Sequence, residues 1–147
     1  MIATQATVHE LEEAAHLFDQ YRQFYGQSPD LDGARAFLLE RLSALQSVIF
    51  LARDDRQRAV GFMQLYPAFS SISMKRDWIL NDLYVVEEAR GQGAAGALLT
   101  EAVRYAGATG AKGIGLVTAA DNVRAQRIYE AFGFEKDEHF FSYYRKG

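Results

Sequence analysis

Three glycines fall within six residues, at Gly91, Gly93 and Gly96, between two stretches of opposite character. Before them runs the apolar, strand-like Leu80-Asn81-Asp82-Leu83-Tyr84-Val85-Val86; after them runs the helix-like Gly96-Ala97-Leu98-Leu99-Thr100-Glu101-Ala102-Val103. A strand, a glycine turn and a helix in succession gather backbone N–H groups around an anion, because the first turn of a helix leaves its donors unpaired and carries about half a positive charge. Glycine lets a phosphate approach the main chain with no Cβ in the way. A helix start with no ligand is the plainer reading, but so many glycines there are entropically costly. The turn Arg90-Gly91-Gln92-Gly93-Ala94-Ala95-Gly96 is therefore expected to hold a phosphorylated ligand.

Taken literally, Gly91 to Gly96 spells G-x-G-x-x-G, the dinucleotide fingerprint. In that fold the first glycine directly ends the first strand of a βαβ unit. Here Glu87-Glu88-Ala89-Arg90 intervene after Val86, and only about a third of the chain follows, too little for a doubly wound sheet. Asp121 is the one acid placed to mimic a ribose ligand. A P-loop needs Gly-Lys-Ser/Thr after the glycines, whereas this chain continues Ala97-Leu98-Leu99. Neither nucleotide reading fits.

The rest of the chain supplies the frame. At 147 residues one domain spanning 1–147 is expected. Residues 2–8 read as a strand, and Thr7 with Glu10 forms a capping-box pattern ahead of a helix through Leu11, Ala14, Ala15, Phe18, Tyr21 and Tyr25. Ser28-Pro29-Asp30 breaks it, and a second helix follows over about 31–45. Strands are expected at 47–53, 58–67, 73–86 and 113–118, helices at about 94–108 and 122–132, and one or two strands in the tail from Phe134 to Arg145. Hairpins followed by a βαβ unit predict an α/β (α+β) fold, with a mixed, mostly antiparallel sheet and helices on both faces.

Composition excludes several classes. The net charge of −3 and a pI near 5.6 disfavour a nucleic-acid binder, which needs a basic patch. The absence of cysteine excludes disulfides, Cys-ligated zinc and thiol nucleophiles, and fits a cytoplasmic protein. His9, His16 and His139 are scattered with no metal-ligand spacing, so no metal is expected. Met1 to Thr7 lacks the basic and apolar regions of a signal peptide, and no apolar run approaches the roughly 20 residues of a membrane helix.

Two segments resemble one known family. Leu83 to Leu99 is similar to the signature of the GNAT superfamily of acetyl-CoA-dependent N-acyltransferases, Gln/Arg-x-x-Gly-x-Gly/Ala after a strand, met here by Arg90, Gly93 and Ala95. Downstream, Asn122-Val123-Arg124-Ala125-Gln126-Arg127-Ile128-Tyr129-Glu130-Ala131-Phe132-Gly133-Phe134 resembles the family's Asn-x-x-Ala-x-x-x-Tyr-x-x-x-Gly-Phe segment. Ala95 stands where many members carry a third glycine. Phe24-Tyr25 and the tail Phe140-Phe141-Ser142-Tyr143-Tyr144 resemble the histone/polyamine-type subgroup.

The resemblance implies a GNAT-like acyl-CoA N-acyltransferase fold and acetyl-CoA as cosubstrate, with no metal, no nucleic acid and no membrane. It implies a homodimer acting on a small-molecule or peptidyl amine. The backbone of Arg90, Gly91, Gln92, Gly93, Ala94, Ala95 and Gly96 would hold the pyrophosphate, and main-chain groups of Leu83, Tyr84 and Val85 would pair with pantetheine. One of those N–H groups would also polarise the acetyl carbonyl, a contribution of about 3–4 kcal/mol per donor. The amine attacks the thioester directly, through a tetrahedral intermediate. Tyr129 would protonate the departing thiolate; from an ordinary phenol that is uphill by roughly 2 kcal/mol, so the transfer is best made concerted. Asn122 would cap its helix and touch the cofactor arm.

The base is the open point. Some polyamine-acetylating relatives carry Glu-Asp where this chain has Asn81-Asp82, so the first carboxylate is missing and Asp82 remains, as catalytic group or as structural partner. Strand alternation puts these neighbours on opposite faces. Tyr21, Phe24 and Tyr25 would either wall a cationic amine or face the core. The missing titratable group at Asn81 also admits an acyl-CoA-binding sensor of the same fold that performs no transfer.

Overall fold

The period-two and wholly apolar stretches assemble into one five-stranded sheet in the order β1-β2-β3-β4-β5, built from β1 (Ile2–Ala6), β2 (Val48–Arg53), β3 (Ala59–Ser70), β4 (Lys75–Val85) and β5 (Ile114–Gly115). The first three pairings are antiparallel and β4–β5 is parallel. The computed structural model describes residues 1–147 and divides into two units, Met1–Val117 and Thr118–Gly147.

In the first unit, helices cover both faces of the sheet. Side chains alternate across a strand, so Ile49, Leu51 and Phe62 share a face. They pack with Ala14, Ala15 and Leu17 of α1 (Leu11–Phe24) and Leu38 of α2 (Leu31–Ser43). Phe50 and Trp78 face the other way, their rings 5.7 and 5.3 Å from that of Tyr105 on α3 (Ala94–Ala108). Because both faces are covered, residues 49–52 of β2 and 60–65 of β3 are buried without a break. Arg53 at the end of β2 grips Glu13 of α1 through two hydrogen bonds of 2.6 and 2.8 Å. The Trp78 indole N–H donates to Thr109 Oγ1 at 2.9 Å, tying β4 to the end of α3.

Several boundaries differ from the sequence expectation. Thr7 caps, but it caps a single 3-10 turn, Val8–Glu10, before α1 begins; its hydroxyl donates to Glu10 and accepts from the His9 N–H. The strand expected over 113–118 shrinks to Ile114–Gly115, where Gly113 and Gly115 give little side-chain surface to pack.

The second unit contains one helix, α4 (Val123–Ala131), capped by Asn122 Oδ1 accepting from the Ala125 N–H at 3.2 Å and ended by Gly133 at φ +89°. The tail strands expected between Phe134 and Arg145 do not form. Their apolar residues come as adjacent pairs, Phe140-Phe141 and Tyr143-Tyr144, rather than in alternation, and no neighbouring strand accepts their amides. No helix of the chain is long and apolar enough to cross a membrane.

Candidate active site

The glycine turn begins where β4 ends. A 3-10 turn, Glu87–Ala89, carries the chain out; buried Ala89 and Ala94 anchor the two sides, and residues 90–93 between them are exposed. Gly91 and Gly93 sit at φ +78° and +91°, a left-handed backbone that costs other residues about 1–2 kcal/mol. Gly93 is the N-cap of α3 and offers no side chain to its amides. The first intrahelical bond is Ala97 N–H to Gly93 O, so the amides from Gly91 to Gly96 have no acceptor within the chain. Arg90 holds the turn from below, with Nε donating to Val85 O at 3.0 Å and its guanidinium 5.4 Å from the Phe24 ring centre. Gln92 Nε2 donates to Glu88 O at 3.2 Å.

Beside the turn, β4 has an open edge. β5 pairs with it only at Trp78 and Ile79, so no strand pairs with residues 80–85 on that side, where the Val85 carbonyl accepts from Arg90 Nε. The Val86 N–H donates to Val60 O, and hydrogen-bonding direction alternates along an antiparallel strand. The main chain of Leu83 and Val85 therefore points to the open edge, while that of Tyr84 points to β3. Of the three residues expected at this edge, two present their amides to it.

One residue further back the register slips. Gln64 pairs with Asp82 but Leu65 pairs with Leu80, leaving Asn81 as the extra residue of a β-bulge. The bulge overturns the expectation that Asn81 and Asp82 point apart: Asn81 Nδ2 donates to Asp82 Oδ2 at 3.1 Å. Asp82 is 6% exposed. The same oxygen accepts from Gln64 Nε2 at 2.8 Å, and Gln64 Oε1 accepts from Ser47 Oγ at 2.7 Å. Three polar side chains, Ser47, Gln64 and Asp82, are thus buried in one line with no cation paired to the carboxylate. Tyr66 stands on the same face; burial, and then the Asp82 carboxylate, push its hydroxyl up to about 12 against the opposing pull of Arg41. Arg41 of α2 lies 4.8 Å from the Phe37 ring centre and pairs with Glu40 at 2.7 Å, while its Nε is buried with no acceptor. An unmade buried donor costs about 1–3 kcal/mol, more when charged.

The aromatic residues divide. The Tyr21 ring lies 5.5 Å from Phe62 and 5.9 Å from Tyr84, against the core. Phe24 and Tyr25 are exposed at 62% and 65%; Phe24 flanks the Arg90 guanidinium and Tyr84, and the Tyr25 ring packs on those of Tyr21 and Phe24. Asp19 fixes this end of α1, accepting from Arg22, Gln23 and the Asp30 N–H.

In the second unit, Asn122 and Tyr129 lie two turns apart on one side of α4, and the Tyr129 ring stands 5.8 Å from Phe134. Ser47, Gln64, Tyr66 and Arg41 escaped the sequence reading. Gln64 had a visible signal, a lone amide inside the apolar run Val60–Leu65; the others depend on the bulge and on helix packing. No group of three or more His, Asp or Glu side chains is arranged to hold a metal.

Comparison with known proteins places this geometry. The model of the acetyltransferase (GNAT) family matches residues 10–134. A Bacillus subtilis protein named uncharacterized N-acetyltransferase YhfO is 50% identical over 139 residues, 95% of this chain and 93% of that protein. A crystal structure described as a probable acetyltransferase superposes with a TM-score of 0.94 at 46% identity, covering 99% of this chain and 97% of that one. The aminoglycoside N-acetyltransferase AAC(6')-Iy, solved in complex with CoA, shares the fold with a TM-score of 0.78 at 24% identity, covering 99% and 94%.

Proposed function

This chain belongs to the acetyltransferase (GNAT) family, and we propose that it moves an acetyl group from acetyl-CoA to a primary amine by direct attack through a tetrahedral intermediate. The observation that carries the reading is the run of unpaired amides from Gly91 to Gly96 beside the open edge of β4. Acetyl-CoA brings an anionic pyrophosphate, an arm of amides and an acyl thioester activated toward amines. The residues present fit those demands. Amide donors at a helix N-terminus suit the pyrophosphate oxygens, and the outward main chain of Leu83 and Val85 suits the pantetheine amides.

On this reading the outward N–H of Leu83 or Val85 also stabilises the oxyanion, an interaction that strengthens as charge develops. Asp82, held by Gln64 and Asn81, receives the acceptor's nitrogen and takes its proton, directly or through water. Tyr129 returns a proton to the departing sulfur, and Asn122 contacts the cofactor arm. Phe24, beside Arg90, forms an exposed aromatic rim with Tyr25. The acceptor classes in play are a small amine, a polyamine, an amino acid and a peptide amine; the likeness at Phe24-Tyr25 and in the tail from Phe140 to Tyr144 is to the histone/polyamine-type subgroup, which is varied in substrate and fixes none of these. The working species is proposed to be a homodimer, which light scattering of the purified protein tests.

Thiol release from acetyl-CoA over a mixed amine panel tests the function. Release with at least one amine is the expected result. Saturable binding without release on the whole panel would replace the enzyme with an acyl-CoA sensor.

A further inference from the structure

The α1–α2 face of the sheet leaves two opposite charges half-served. Both hydrogen bonds to Asp82 fall on Oδ2, so Oδ1 is without a donor. On α2, the Nε of Arg41 is buried without an acceptor. Its Nη2 reaches only Glu40, the residue before it, whose side chain is 74% exposed. Leu38 and Leu42 of α2 pack into the cluster of Ile49, Leu51 and Phe62, which sets Arg41 on the side of the sheet that carries Tyr66 and Asp82. Tyr66 lies two residues beyond Gln64 on β3, so it shares the face that carries Asp82, and no hydrogen bond holds its hydroxyl. A buried group without its partner is expected to be completed by something the chain does not contain. Here the missing partner is an anion at Arg41; Asp82 Oδ1 is an open acceptor on the same face of the sheet, which also carries Tyr66.

We infer that the acceptor is a small zwitterion, an amine and a carboxylate in one molecule, with the amine directed to Asp82 and the carboxylate to Arg41. The Tyr66 hydroxyl bonds the substrate between the two. A guanidinium suits a carboxylate because its N–H groups match the two oxygens. A polyamine or an aminoglycoside meets the wrong charge at Arg41, and like-charge juxtaposition is how sites reject competitors. Arg41 is thus a specificity residue, remote from the reacting atoms. The inference rests on the acetyl-transfer reading and narrows its acceptor class away from polyamines.

The test is acetyl-CoA-dependent thiol release with matched pairs, each α- or β-amino acid against its own carboxamide, together with linear diamines and spermidine. The wild-type enzyme is expected to favour the amino acid over the carboxamide by about 10- to 100-fold in kcat/KM, the range of one charge-assisted hydrogen bond. Arg41→Gln should abolish that preference by raising KM for the amino acids, and Arg41→Lys should restore part of it. Equal use of acids, carboxamides and diamines by the wild-type enzyme would overturn the inference while leaving acetyl transfer intact. A uniform loss on acids and carboxamides in Arg41→Gln would overturn it too. Should Arg41→Gln fail to fold, the wild-type pairs decide alone. Release with no amine at all would overturn acetyl transfer and the inference together.

Discussion

The glycine turn and the β-bulge are only a few residues apart on the chain, yet they are built by opposite means. The turn from Arg90 to Gly96 is exposed and works through main-chain amides; its side chains are mostly absent or small. The bulge at Asn81 is a side-chain device, a buried line from Ser47 through Gln64 to Asp82. A main-chain site tolerates varied side chains but depends on backbone shape. A side-chain site tolerates little, because each buried partner lost leaves another unsatisfied. The pairing suits an enzyme that binds an invariant cosubstrate at one end and a particular acceptor at the other.

The sharpest way to break this contrast is Asp82→Asn. Loss of the carboxylate should lower kcat for acetyl transfer by about 10²- to 10⁴-fold, the usual worth of a general base, while acetyl-CoA affinity is unchanged. Steady-state rates alongside a calorimetric titration would check this, and an equal fall in cofactor affinity would merge the two regions into one. Next in size is Tyr129→Phe, expected to lower kcat about 10²-fold with little change in affinity; unchanged turnover on the preferred acceptor would remove Tyr129 from the acid role. Gly93→Val acts on the other region. Forcing a β-branched residue to φ +91° costs about 1–2 kcal/mol or more, so acetyl-CoA should bind about tenfold more weakly, with kcat at saturation little altered.

The smallest effect belongs to the frame between them. Arg53 beside Glu13 holds that carboxyl below its ordinary value of 4.5, chiefly through their hydrogen bond. A lowered folded pKa contributes stability that is present above about 4.5 and lost as the pH falls through the lowered value. Arg53→Gln should therefore flatten the acid limb of the Tm-against-pH curve, slightly because the Glu13 side chain is 42% exposed. Neither activity nor cofactor affinity at neutral pH should move.

The two regions also differed in how far the residues announced them. Gly91 and Gly93 reveal a left-handed turn because a left-handed backbone favours that residue type, and the helix Ala94–Ala108 follows from local periodicity. The antiparallel core of the sheet was readable for the same reason, its strands being continuous apolar runs. The bulge was not, since it is a mismatch between β3 and β4 that neither strand's alternation reveals, and reading Asn81 and Asp82 as facing apart followed from assuming regular pleating. Arg41 was hidden because a buried Nε without an acceptor shows only in the packing. The tail misled in the opposite direction: Phe140-Phe141 and Tyr143-Tyr144 have strand-forming residues without a strand to join.

The central claim is that backbone amides at the start of α3 hold the cosubstrate's pyrophosphate. Calorimetric titration with acetyl-CoA, repeated with an acetyl-pantetheine thioester that lacks the pyrophosphate, tests it most directly. A saturable one-to-one heat with acetyl-CoA, lost with the truncated thioester and weakened by Gly93→Val, is the predicted result. No binding of acetyl-CoA at millimolar concentration, or equal binding of the two thioesters, would contradict it.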